Sequence, residues 1–154
     1  MQSVNPERND TTFLEVVRNA PLVSIDLIVR DGQRRILVGM RRNEPAKGTW
    51  FVPGGSIRKN ERLAAALARI SEGELGVSLT MDDVRFAGVY EHFYDTNFAE
   101  VDGVSTHYIV LAYVVRRTFG TDDLPAGQHS DWAWLSDPAM TDVHPNTLAY
   151  LELE

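Results

Sequence analysis

The chain has 154 residues, a hydrophobic fraction of 44% and a net charge of −7. That length suits one compact domain over residues 1–154, and the acidic total argues against broad nucleic-acid binding. Without cysteine there can be no disulfide, thiolate zinc site or cysteine nucleophile, so a reducing cytoplasm is the expected location. No apolar run approaches the roughly 20 residues of a membrane span. The polar start, MQSVNPERND, lacks the apolar core of a signal peptide.

In chain order, Asp10 or Thr11 is placed to cap a short helix through Phe13, Val16 and Val17, which Pro21 ends. Leu22 to Val29 is apolar and β-branched, hence a strand, and Asp31-Gly32 turns it into a second strand from Arg35 to Gly39. A polar loop, Arg41 to Gly48, leads to Trp50-Phe51-Val52 and the turn Pro53-Gly54-Gly55. The clearest helix runs from about Glu61 to Leu75, with Gly76 at C′. Strands follow near Val84–His92, Thr106–Val115 and Trp132–Leu135, and Pro145–Glu154 reads as a closing helix. Hairpins with singly inserted helices predict an α+β fold rather than a doubly wound sheet.

Charge is unevenly spread. Residues 30–69 hold ten of the fifteen Lys and Arg and only three acids, leaving the stretch net +7. It is either a solvated basic face or a local well for a small anionic ligand on an acidic protein.

On the main helix, Leu63, Leu67 and Ile70 form a buried stripe at about 100° per residue. Glu74, seven residues after Leu67, returns to that stripe. There a carboxylate either reaches solvent at the helix end or needs a cation or other partner. Gly73 costs roughly 1 kcal/mol against alanine in a helix, which suggests that another backbone or a ligand comes close. A glycine turn feeding a helix can aim a backbone carbonyl and a carboxylate at one point, and hard oxygen donors of this kind suit Mg²⁺.

Written out, the stretch is Gly55-x5-Glu61-x7-Arg69-x4-Glu74-x-Gly76-Val77. It resembles the Nudix box, Gly-x5-Glu-x7-Arg-Glu-U-x-Glu-Glu-x-Gly-U, where U is a bulky aliphatic. Ile70, Ser71 and Gly73 stand where the full box has Glu, an aliphatic and Glu. The full box gathers several metal ions and directs water onto phosphorus; here the carboxylate count supports one ion on Glu74.

The same departures mark the GDP-mannose mannosyl hydrolases, a Nudix family that the chain resembles over nearly its whole length. The stretches that carry the likeness are Val16-Val17-Arg18, Pro21-Leu22-Val23-Ser24, Trp50-Phe51-Val52-Pro53-Gly54-Gly55, Glu91-His92-Phe93-Tyr94-Asp95-x-Asn97-Phe98, Thr106-His107-Tyr108 and Gln128-His129. The resemblance implies a Nudix fold, with a mixed β-sheet sandwiched by helices, and a homodimer. It implies one Mg²⁺ per subunit, with Mn²⁺ as a substitute, held by the Gly54 carbonyl, Glu74 and Gln128. His129 matches the general base, Arg41 the phosphate-binding arginine, and Tyr108 a residue beside the leaving diphosphate. Asp26 and His92 match polar residues near the sugar; Phe13 and Arg8 fall where the family's N-terminal segment meets guanine. Ser56 and Met40 depart from the family, which has basic residues there, so the local positive charge is lower.

The chemistry so implied is coherent. Cleaving a sugar nucleotide at the anomeric carbon passes through an oxocarbenium-like transition state, and a nucleoside diphosphate needs charge neutralisation more than a proton. Mg²⁺ would act as a Lewis acid, Arg41 as a permanently charged fork, and Tyr108 as a further donor. His129, with an ordinary pKa of about 6.5, would activate water on the opposite face, giving inversion. The expected activity is hydrolysis of GDP-mannose or GDP-glucose to GDP and free sugar. Two alternatives stand beside it: phosphoanhydride cleavage, against which the missing carboxylates argue, and a non-catalytic nucleotide-sugar sensor.

Overall fold

The computed structural model describes residues 9–122, 124–125, 129–136 and 142–153, with the backbone alone at 129 and 130. The chain opens with helix α1, Asp10–Asn19. Its cap is Asn9 rather than Asp10 or Thr11: the Asn9 side chain accepts from the backbone N–H of Thr11 at 3.0 Å and of Thr12 at 3.1 Å. Strands β1 (Leu22–Ile28), β2 (Ile36–Arg41), β3 (Trp50–Phe51) and β4 (Gly54–Ser56) follow. Helix α2 spans Leu63–Leu75, and Gly76 ends it at φ 74°, the left-handed C′ conformation that glycine adopts without penalty. Then come β5 (Val84–Tyr94), β6 (Thr106–Val115), β7 (His129–Leu135) and a short α3 (Pro145–Leu148), which tightens into a 3₁₀ turn over Ala149–Glu152.

Among the described residues two sheets result, of order β4-β1-β6-β5 and β3-β2-β7. The first is mixed, because β1 runs parallel to β6 and antiparallel to β4. Two clusters make the core. Ile25, Leu27 and Leu37 pack with Ala66, Leu67 and Ile70 of α2; Ile28, Val38, Phe51 and Val110 pack with Val17 of α1 and Tyr150 of the C-terminal turn. Helices packed against a mixed and an antiparallel sheet make this α+β architecture, and each fully buried Leu or Ile contributes about 1.5–3 kcal/mol.

Two strands extend beyond their sequence expectation, and both matter. Strand β2 continues past Gly39 to Arg41, and β7 begins three residues before Trp132. Their ladder has an irregularity between Gly39 and Arg41, beyond which Arg41 stands opposite His129. Bulges of this sort re-aim side chains near active sites. His129 therefore lies within the strand rather than ahead of it.

Candidate active site

The loop between β4 and α2 is fixed by charge. Glu61 takes Arg69 in a two-pronged pair, Nε to Oε2 and Nη2 to Oε1, both 2.8 Å. Arg69 Nη2 also donates to the Ser56 carbonyl at 2.8 Å, and the Arg58 N–H donates to Glu61 at 3.0 Å. The Arg69 side chain, hydrogen-bonded to it, holds Glu61's pKa below the ordinary carboxylate value. These two residues therefore shape the loop and tie it to the helix.

Gly54 is forced by the same architecture. A Cβ there would lie 2.4 Å from the Ile25 carbonyl oxygen and 2.7 Å from Asp26 Oδ1. The Leu27 N–H donates to the Pro53 carbonyl and the Ile57 N–H to that of Val23, each at 2.8 Å. By the alternation of an antiparallel ladder, Asp26 and Gly54 form a non-hydrogen-bonded pair, next to the bonded Leu27 and Pro53. The Gly54 carbonyl consequently faces away from β1, on the outer edge of its sheet.

The α2 stripe is largely as the period predicts. Leu67, Ile70 and Glu74 are all buried. Glu74 is only 6% exposed, so the helix end does not release it to solvent. Leu63 departs from the expectation: it is 41% exposed, because the first turn overhangs the core. Ser71, which stands in place of the box aliphatic, is buried and accepts from the Leu79 N–H at 2.9 Å, anchoring the turn after the helix. Gly73 also departs: among the described residues nothing lies within 4 Å of a Cβ placed there. It faces open space, and no other part of the described chain approaches it.

Arg41 is the buried member of the basic stretch. Arg35 is paired with Asp31 and Arg69 with Glu61, so the ten cations do not form one well. Arg41 donates from Nε to the Pro45 carbonyl and from Nη2 to the Asn43 carbonyl, both 3.2 Å. Its Nη1 is buried without a partner among the described residues. Burial pulls its pKa down, opposed by the charges of Tyr108, Glu74, Tyr94 and Asp26 around it. A buried guanidinium with an idle N–H is costly in isolation and suits an incoming anion.

Facing it is one side of the four-stranded sheet. Register puts Leu22 and His92 on either side of Tyr108, and Ala112 beside Asp26. The two-residue period then sets Asp26, Tyr90, His92, Tyr94 and Tyr108 on one face. Asp26 is buried and accepts from the Tyr150 hydroxyl at 2.6 Å. Burial pushes its pKa up to about 7, against the lowering effects of Tyr150 and Arg41. His92 is buried, with its pKa lowered to about 4 by desolvation and by His144, so it is neutral near pH 7. Its Nε2 lacks a partner among the described residues. The walls around it are Phe51, Tyr90, Tyr94 and Tyr150, with ring centroids 5.9 to 6.5 Å away.

Among the expected site residues, Asp26, Arg41, Gly54, Glu74, His92 and Tyr108 are thus placed around the β1–β4–α2 junction and the sheet face behind it. Phe13 sits on α1 against Phe98, centroids 5.0 Å apart, and lines a small crevice with Pro45 and Tyr108. Arg8 and Gln128 lie outside the described residues, as does the His129 side chain. Sequence reasoning missed Tyr150, Tyr94 and His144. The need of a buried Asp26 for a partner was a signal, but it carried no address.

The donor set fits one hard cation. Glu74 brings a buried carboxylate on the side of α2 that packs against β1 and β4, and Gly54 brings an outward carbonyl. No group of three His, Cys, Asp or Glu that could hold a metal occurs among the described residues, so the multi-carboxylate cluster of the full box is not built there.

A profile of the NUDIX domain matches residues 20–149. The chain belongs to the Nudix family and is a Nudix hydrolase. It is 40% identical over 144 residues to the low-salt glycan biosynthesis protein Agl8 of Haloferax volcanii, covering 93% of this chain and 88% of that one. Among solved structures it resembles a MutT NUDIX hydrolase from Burkholderia pseudomallei, with a TM-score of 0.64 and 26% identity, covering 87% of this chain and 98% of the other. It also shares its fold with the NUDIX domain of Shewanella oneidensis NrtR, crystallised with ADP ribose, at a TM-score of 0.63 and 18% identity over 95% and 90% of the two chains. Nudix hydrolases generally use divalent ions such as Mg²⁺. No helix among the described residues is long and apolar enough to cross a membrane.

Proposed function

We propose that this protein hydrolyses GDP-mannose or GDP-glucose to GDP and the free sugar, by attack of water at the anomeric carbon with inversion. The observation that carries this reading is in α2. Of box positions 70, 73 and 74, only Glu74 offers a carboxylate, and it is buried; Ile70 is 2% exposed in the apolar core. A site so short of carboxylates is poorly equipped to drive water onto phosphorus, but suffices to neutralise a departing diphosphate. The 40% identical glycan biosynthesis protein is in keeping with a nucleotide-sugar substrate.

In this reading the Gly54 carbonyl, Glu74 and Gln128 hold one Mg²⁺, or Mn²⁺ in its place. When bound, the ion supplies Lewis-acid stabilisation of the diphosphate. Arg41 meets the diphosphate with its idle Nη1, and Tyr108 lies beside it. His129, opposite Arg41 in the β2–β7 ladder, takes the proton from the attacking water. The C1–O bond breaks and its electron pair leaves with GDP. Asp26 and His92 hold the sugar against the aromatic wall. Phe13 and Arg8 meet the guanine. Homodimer formation accompanies the family resemblance, and a cytoplasmic location the cysteine-free composition; exposed Phe86, Val89 and Phe93 on β5 offer an apolar surface for association.

Hydrolysis of GDP-mannose with Mg²⁺ in ¹⁸O water tests the reaction type. The label should enter mannose and leave GDP unlabelled. Label in phosphate, or GMP with mannose 1-phosphate as products, would assign the enzyme to phosphoanhydride cleavage instead. No turnover with saturable binding would favour a sensor.

A further inference from the structure

The residue that starts α3 occupies an unusual place. His144 is the N-cap, and its Nδ1 accepts the Asn146 N–H at 3.1 Å. A neutral imidazole has one acceptor and one donor nitrogen. With the acceptor fixed at Nδ1, the proton is fixed on Nε2. Burial lowers the His144 pKa further from its ordinary value, so this tautomer prevails at neutral pH. The cap thus specifies a hydrogen-bond donor, not merely a helix start.

The ring also belongs to the aromatic cluster behind Arg41. It packs on Phe51, centroids 5.9 Å apart, and on Tyr94 at 5.1 Å, and it lowers the pKa of His92. His92 Nε2 is buried and unpartnered among the described residues. The cluster is therefore mostly aromatic with a few polar groups, the composition that fixes the orientation of a small polyhydroxylated ligand. Two of its members, His144 and Tyr150, come from the last turns of the chain.

We propose that His144 is a specificity residue of the sugar subsite, donating from Nε2–H to a single hydroxyl of the hexose. This rests on the nucleotide-sugar reading above. His144→Asn separates donor from cap, because asparagine is among the best N-cap residues but cannot reach as far as the imidazole. His144→Ser, also a capping residue, guards against a folding defect in the first variant.

The probes are GDP-mannose and its monodeoxy analogues, with GDP as competitive inhibitor. Wild-type enzyme should lose roughly tenfold in kcat/KM with one particular deoxy analogue, the value of one hydrogen bond. In both variants that penalty should vanish while the penalties at the other hydroxyls persist. KM for GDP-mannose should rise by a similar factor, and inhibition by GDP and the melting temperature should hold. A purely structural cap would instead weaken GDP inhibition in step, or leave every deoxy penalty as in the wild type; either result overturns the assignment. Wild-type enzyme inert towards both GDP-mannose and GDP-glucose would remove the underlying reading, and this inference with it.

Discussion

Glu61, just before α2, and Glu74, in its last turn, belong to one loop–helix unit, yet their surroundings differ in kind. Glu61 is gripped by Arg69 and by the Arg58 N–H; its charge is consumed in shaping the loop. Glu74 lies on the inner stripe of the helix, where its charge acts on Arg41 and Asp26. The box residues that match the Nudix pattern at Gly55, Glu61, Arg69 and Gly76 are the ones that fold the unit. Two of the three that differ, Ile70 and Gly73, stand in the half of the helix where the full box would add metal ligands, while the third, Ser71, anchors the turn after it. Framework and chemistry are thus separable within a single helix, and the chemistry can change while the frame stands.

The largest effect should come from outside this helix. With no carboxylate at 70 or 73, the water's proton must go elsewhere, and His129 opposite Arg41 is the residue assigned to it. His129→Gln should lower turnover by about 10² to 10⁴ with little change in substrate and metal affinity. It should also flatten the acid limb of the rate profile. A variant that keeps that limb would move the role to another titrating group, with His92 or Asp26 next to examine.

Substituting the two acids sharpens the contrast directly. Glu74→Gln should raise the Mg²⁺ concentration needed for activity by at least roughly 10- to 100-fold, at nearly unchanged stability of the metal-free protein. Glu61→Gln should do the reverse, costing about 2 kcal/mol in a denaturant titration through its weakened bonds to Arg69. Equal Mg²⁺ requirements in the two variants would abolish the distinction.

A third acid has yet another environment. Asp26 holds its proton to about pH 7 in the folded state, against an ordinary value of 3.8. Between those values the folded state binds more protons than the unfolded, so stability falls as pH rises, by at most about 1.4 kcal/mol per unit. In chelator, Asp26→Asn should lose this slope between pH 4 and 7 relative to the wild type. Parallel pH curves for the two proteins would show that Asp26 is already ionised.

How far the sequence disclosed this can be argued from the same residues. Glu74 was legible because Leu67 and Ile70 set a 3.6-residue stripe on which an acid is out of place. Leu63 misled, since periodicity cannot tell where a helix runs past the sheet beneath it. Asp26 was legible as an acid in an apolar strand, but Tyr150 lies 124 residues away, and no local pattern connects them. His129 was legible only by resemblance; the strand that sets it opposite Arg41 depends on a ladder that begins earlier than its apolar residues do.

Gly73 offers the smallest effect and a clean one. Glycine within a helix suggested a close approach by a ligand or another backbone. Yet a Cβ at this position meets no described atom within 4 Å, the residue is exposed, and its φ is not positive. Nothing then opposes alanine, and the gain should be that of ordinary helix propensity, about 0.5–1 kcal/mol. Gly73→Ala should therefore raise the denaturation midpoint slightly and leave kcat, KM and Mg²⁺ dependence unaltered. If activity fell instead, bound substrate would have to reach this face of α2, and the line between the framing and chemical ends of the helix would need to be redrawn.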